Sequence, residues 1–174
     1  MFEESKKNPE LRQNFLDSLE LENLSTYVNS LTYYDSIKEF EMETITRSNE
    51  DLLMGTKGTK SEIKVYPPSF LWFVGSTQEN FLSTLEHEIR HAKQTYSHPE
   101  KYFPQISILD SKKYSIEQKK DYINQKIILG EIDAYENQLA DIMSGKRKVT
   151  YDLKNCVIEN LKAYYAKLSQ QKLL

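Results

Sequence analysis

Apolar positions recur at helical spacing over most of the chain and at alternate positions over two short stretches. Asn8-Pro9-Glu10 supplies the cap, first-turn proline and first-turn acid of a helix start, and Leu11, Phe15, Leu16 and Leu19 follow at helical spacing. Leu24, Tyr27, Val28 and Leu31 extend that pattern, so residues 9–32 are expected to be helical packing cover. Near Phe40 the period changes to two. Phe40, Met42 and Thr44 alternate with Glu41, Glu43 and Ile45, which predicts a strand with one buried face. Residues 47–60 contain Gly55-Thr56-Lys57-Gly58-Thr59-Lys60 and are expected to form a turn or exposed loop; they lack the spacing of a phosphate-binding loop. Residues 62–66 alternate again and run into Pro67-Pro68, which predicts an edge strand, because proline cannot donate to a ladder. Residues 70–74 are an apolar run of strand or irregular core.

The longer helical patterns lie downstream. Ser76-Thr77-Gln78-Glu79 fits a capping box, and Phe81, Leu82, Leu85, Ile89 and Ala92 form a core stripe through residues 76–97. Ser115-Ile116-Glu117-Gln118 opens a second helix that carries Ile123, Ile127, Ile128, Ile132, Leu139 and Ile142 and ends near Gly145. A third starts at Asp152, with Val157, Leu161, Tyr164, Tyr165 and Leu168. Residues 99–114, interrupted by Pro99 and Pro104, are expected to be irregular and mobile. The expected fold is α+β and mainly helical, with a small, mostly antiparallel sheet over the helix at 76–97. Its 174 residues suit one domain, with 1–35 as N-terminal helical cover and 36–174 as the core.

Composition narrows the function classes. A formal net charge of −3, with Lys146-Arg147-Lys148 as the one strongly basic run, argues against nucleic-acid binding driven by counterion release. Cys156 is the single cysteine, so no intrachain disulfide forms, and it reads as a small helix residue and not as an activated thiol. The N-terminal MFEESKKNPE lacks the pattern of a signal peptide, and no run approaches 18 apolar residues; a cytoplasmic location without membrane spans is the expectation.

Two of the three histidines fall in His87-Glu88-Ile89-Arg90-His91. Residues four apart on a helix share a face, so both imidazoles can reach one ion, and Glu88 lies one step round, within reach of a water on that ion. This HExxH spacing is the zinc-peptidase arrangement of two ligands and a general base. The alternative is two ordinary polar residues on an amphipathic helix. Catalytic zinc sites take a third protein ligand. The extended form HExxHxxGxxH fails, because Gln94 and Ser97 occupy its last two signature positions, and His98 lies past the predicted helix end. Carboxylates on the second long helix remain: Glu131, Asp133 and Glu136. Asp133 points about 200° from Glu131, so both cannot face one ion; Glu136, five residues on, also aligns poorly. Small Ala134, one turn past Glu131, would let the two helices approach closely.

HExxH followed on a later helix by Glu131-Ile132-Asp133-Ala134 resembles the gluzincin metallopeptidases, over residues 76–97 and 116–145. The resemblance implies a zincin-like fold and a Zn2+ cofactor held by His87, His91 and Glu131. It also implies Glu88 as general base and hydrolysis of a peptide or protein substrate. The chain departs from the family at Tyr135, where many gluzincins place an Asp that steadies a ligand histidine. The Tyr135 hydroxyl would bond a ligand or the transition-state oxyanion; otherwise Tyr135 is a core or rim residue. Asn124, two turns before Glu131, is a candidate substrate contact, and Arg90 a salt-bridged structural residue. The edge strand at 62–66 would hold an extended substrate by strand addition. A zinc protein that acts through partner binding without hydrolysis is the alternative function, and a metal-free helical interaction domain is a third.

Overall fold

The computed structural model describes residues 1–21, 24–36, 38 and 40–171. Helix α1 (Phe2–Lys7), a 3-10 turn at Pro9–Leu11 and α2 (Arg12–Asp17) lead through α3 (Leu24–Tyr27) into strand β1 (Val28–Tyr33). Strand β2 (Met42–Ile45), α4 (Glu50–Met54) and β3 (Ser61–Val65) follow, then α5 (Pro68–Leu71) and a 3-10 turn at Phe73–Ser76. The long helices are α6 (Gln78–Ser97), α9 (Ile116–Met143) and α10 (Tyr151–Gln170), with short α7 (Pro99–Tyr102) and α8 (Ile106–Leu109) between the first two. The architecture is α+β, mainly helical with one three-stranded sheet.

That sheet is mixed, in the order β1-β3-β2: β1 runs parallel to β3, and β2 antiparallel to it. Three expectations therefore change, the first being that of a mostly antiparallel sheet, since one of its two pairings is parallel. Residues 28–33 are a strand and not part of an N-terminal helix; positions 22–23 of the same stretch lie outside the described residues. Strand β3 is central and not an edge, since both its sides are paired. Pro67 and Pro68 spoil no ladder there: the Tyr66 N–H still donates to the Glu41 carbonyl, and Pro68 opens α5. Strand addition at 62–66 is excluded for the same reason. Residues 70–74 form the end of α5 and part of a 3-10 turn.

Residues 47–60 contain α4, capped by the Asn49 side chain and closed by Gly55 at φ +72°. The segment at 99–114 holds α7 and α8. Helix α6 starts one residue later than the sequence suggests, because the Thr77 side chain accepts from the Asn80 N–H. The Ser115 capping box is present at α9, and Gly145, at φ +81°, follows that helix.

The core lies where α1, α2 and the sheet meet one face of α6. Phe2, Phe15, Phe70 and Phe81 interlock there, with Phe70 and Phe81 centroids 5.0 Å apart. Phe81, Leu82, Leu85 and Ala92 are buried as their spacing predicts, and Ile89 packs against them. The opposite face of α6 meets α9, which also packs against α10 and α7. Burying one stripe of α6 thus turns its histidines toward α9. Among the described residues no helix is long and apolar enough to cross a membrane.

Candidate metal centre

His87 and His91 project from successive turns of α6, and Glu131 meets them from α9. The two Nε2 atoms are 3.1 Å apart. Glu131 Oε2 is 3.6 Å from His87 Nε2, and Oε1 is 3.5 Å from His91 Nε2. A tetrahedral zinc with bonds of 2.0–2.1 Å needs ligand atoms about 3.3 Å from one another. The imidazole nitrogens come near that spacing, Glu131 approaches them through different oxygens, and one ligand atom from each residue lies within 4.8 Å of the others, with a donor set of two imidazoles and a carboxylate that zinc accepts. Burial by itself would raise the Glu131 carboxyl, but the His87 hydrogen bond and the His91 charge outweigh it and hold the carboxyl below its usual range.

His91 is oriented from behind. Gln94 Nε2 donates to the Gly130 carbonyl at 2.8 Å and to Asp133 Oδ2 at 2.7 Å, which fixes its amide so that Oε1 faces His91 Nδ1 at 3.1 Å. An amide oxygen only accepts, so His91 carries its proton on Nδ1 and presents an Nε2 lone pair to the centre. Arg90 completes the chain through a two-pronged pair with Asp133, at 2.6 and 2.9 Å. Burial would raise the Asp133 carboxyl, but hydrogen bonds from Arg90 and Gln94 keep it low. Asp133 is therefore no ligand, and Arg90 is the salt-bridged residue its sequence position suggested. Gly130 permits this packing: a Cβ there would lie 3.2 Å from Gln94 Oε1 and 3.8 Å from His91 Nδ1.

His87 is held differently. Its Nδ1 is buried and has no partner among the described residues. Its ring instead lies against Tyr135, with centroids 4.3 Å apart. The Tyr135 hydroxyl accepts from Asn160 Nδ2 on α10 at 3.1 Å, and its ring stacks on Tyr164. Burial, and then the nearby Glu131 charge, raises the Tyr135 phenol, which keeps its proton at neutral pH.

Glu88 is tied to the sheet. Thr44 Oγ1 on β2 lies 2.7 Å from Glu88 Oε2 and 2.9 Å from the Glu88 carbonyl, so one hydroxyl proton serves two acceptors. Two hollows of about 340 and 260 Å³ flank this carboxylate, one toward Lys126 and Tyr102, the other toward Tyr135 and Asn160.

Three sequence candidates are not gathered here. Asn124 lines a separate depression with Tyr164 and Lys167. Glu136 is exposed and accepts from the Tyr165 hydroxyl. His98 is exposed and sits 3.7 Å from Glu100. Conversely, Gln94, Thr44 and Asn160 were missed. Gln94 had a signal, lying three residues past His91 on the same helix face; Thr44 and Asn160 reach the centre only through tertiary contact. Compared with family models, with curated proteins and with solved structures, the chain gives no significant match.

Proposed function

We propose that this chain is a zinc-dependent peptidase with a zincin-like fold of gluzincin type. His87, His91 and Glu131 would hold the ion, and Glu88 would act as general base. One observation carries the reading: two helices bring one ligand atom each of His87, His91 and Glu131 within 4.8 Å of one another beside a carboxylate held by Thr44. Zinc bound there would supply Lewis acidity toward water and toward a peptide carbonyl. Glu88 takes the proton of the attacking water on its carboxylate and returns it to the leaving amine. Thr44 keeps that carboxylate from swinging away. The Tyr135 phenol, oriented by Asn160, acts through the ring it places on His87. The free sheet edge beside Glu88 is β2, so strand addition of an extended substrate moves there.

A second reading is a zinc-binding protein of the same fold that recognises a partner without hydrolysis. The His87 Nδ1 without an acceptor favours it, because the usual brace on that ligand is missing. Metal analysis after tag-free purification should find about one zinc per chain in wild type and in Glu88→Gln. Wild type should cleave an unstructured protein substrate, and Glu88→Gln should lose at least about 10²-fold in rate. Zinc without wild-type cleavage selects the second reading; absence of zinc removes both.

A further inference from the structure

We propose that the hollow between Glu41 and Asn160 is a substrate subsite for a lysine or arginine side chain next to the scissile bond, recognised by the Glu41 carboxylate. The substrate role rests on the peptidase reading above. The hollow, about 260 Å³, opens at His87, Glu88 and Glu131, so whatever fills it lies beside the reacting groups. Among the described residues its lining contains three carboxylates and no lysine or arginine.

Those carboxylates are not equivalent. Glu131 faces two imidazoles, and Glu88 is held by Thr44. The Glu41 carboxylate meets no cation among the described residues and is hydrogen-bonded to its own backbone. Burial, with the Glu88 charge added, raises its carboxyl, the condition of an acid whose counter-charge is missing. Cys156 adds no charge to the hollow: burial and the Glu41 charge hold its thiol in the neutral form. A cation entering the hollow would thus meet an acid with no other ion pair to break.

The rest of the lining selects a side chain over a free amino terminus. Met42, Val74, Leu153 and Val157 are buried apolar residues that face the same space. A methylene stem covers such a surface while its charged end reaches the acid, which a backbone amine does not do.

N-acetylated peptides that differ only in Lys, Arg, norleucine, Gln or Glu at the positions flanking the cleaved bond test this with the zinc-loaded full chain. Wild type should favour Lys or Arg over norleucine about tenfold or more in kcat/KM. Glu41→Gln should abolish that preference, bringing the Lys-to-norleucine ratio of kcat/KM to about one, and Glu41→Lys should shift the preference toward Glu. Equilibrium binding of the same peptides to Glu88→Gln, with and without Glu41→Gln, reads the subsite independently of hydrolysis. Cleavage without a Lys or Arg preference, or a preference that survives Glu41→Gln, overturns the subsite and leaves the peptidase reading standing. Selective binding without cleavage by wild type does the reverse. No preference in either arm overturns the proposal.

Discussion

Replacing Gln94 tests the bracing of the centre without touching a ligand. Gln94 is 4 % exposed and spends both ends of its amide, accepting from His91 and donating to Gly130 and Asp133. Gln94→Met keeps the volume and removes all three bonds. Asp133 still has Arg90, so the losses concentrate on the Gly130 carbonyl and the His91 N–H. A net hydrogen bond contributes about 0.5–1.5 kcal/mol, and a stranded buried group costs about 1–3 kcal/mol. The metal-free variant should therefore lose about 1–3 kcal/mol in urea unfolding. Losing the brace on a ligand histidine costs about 10–100-fold in metal affinity, or about 1.4–2.7 kcal/mol, readable by competition with a chromophoric chelator.

Gln94→Glu separates the two effects. It keeps an acceptor for His91 but sets a second carboxylate against Asp133. It should bind zinc more tightly than the Met variant while being less stable. Zinc affinity of Gln94→Met within about twofold of wild type would refute the brace, as would a Glu variant that binds more weakly than the Met variant.

Thr44→Val, close in shape, should lower kcat/KM about tenfold through a misplaced Glu88 and leave zinc affinity unchanged; equal loss of both would show a general distortion. Asp133→Asn probes the Arg90 pair. The folded Asp133 carboxyl lies below its unfolded value of about 3.9, so its stabilisation is present above that pH and disappears as pH falls through the folded value. The variant should be about 1–2 kcal/mol less stable than wild type near pH 7, a partly exposed charged pair, with the gap closing as pH falls below the unfolded value and through the folded one. A gap that does not change with pH would mean that the Asp133 charge is not what stabilises.

The legible part of the site was the part written at local spacing. His87, Glu88 and His91 need only one helix, and the apolar stripe from Phe81 to Ala92 fixes which way that helix faces. Glu131 lies 40 residues beyond His91 and was named through a resemblance; that its oxygens lie 3.5–3.6 Å from both imidazoles is a tertiary fact. Strand β1 was not legible because its burial barely alternates, with Val28 buried and its next two residues exposed. Its apolar residues, Val28 and Leu31, are three apart and suit a helix equally well. What decides between the two is register with β3, Leu31 opposite Ile63 and Tyr33 opposite Val65, a pairing across more than 30 residues that no local pattern encodes. Misplacing β1 also misplaced the edge, since β3 becomes central only once β1 pairs with it.

Tyr135 shows why roles carried over one residue at a time can mislead. Taken singly, a tyrosine where many gluzincins have an Asp leaves His87 without its brace, and the bare Nδ1 agrees. Yet the same helix supplies Asp133 two residues earlier, and that carboxylate steadies the other histidine through Gln94, with Arg90 closing the chain back onto α6. Gly130 is part of the same device, since a Cβ there would lie 3.2 Å from Gln94 Oε1 and press on that amide. The carboxylate that does the orienting here is Asp133, and the histidine it orients is His91. A brace on either imidazole limits the motion of a centre whose three donors already lie within 4.8 Å of one another. The departure at Tyr135 alone is then a weak argument against hydrolysis; the stronger one would be zinc affinity that is indifferent to Gln94.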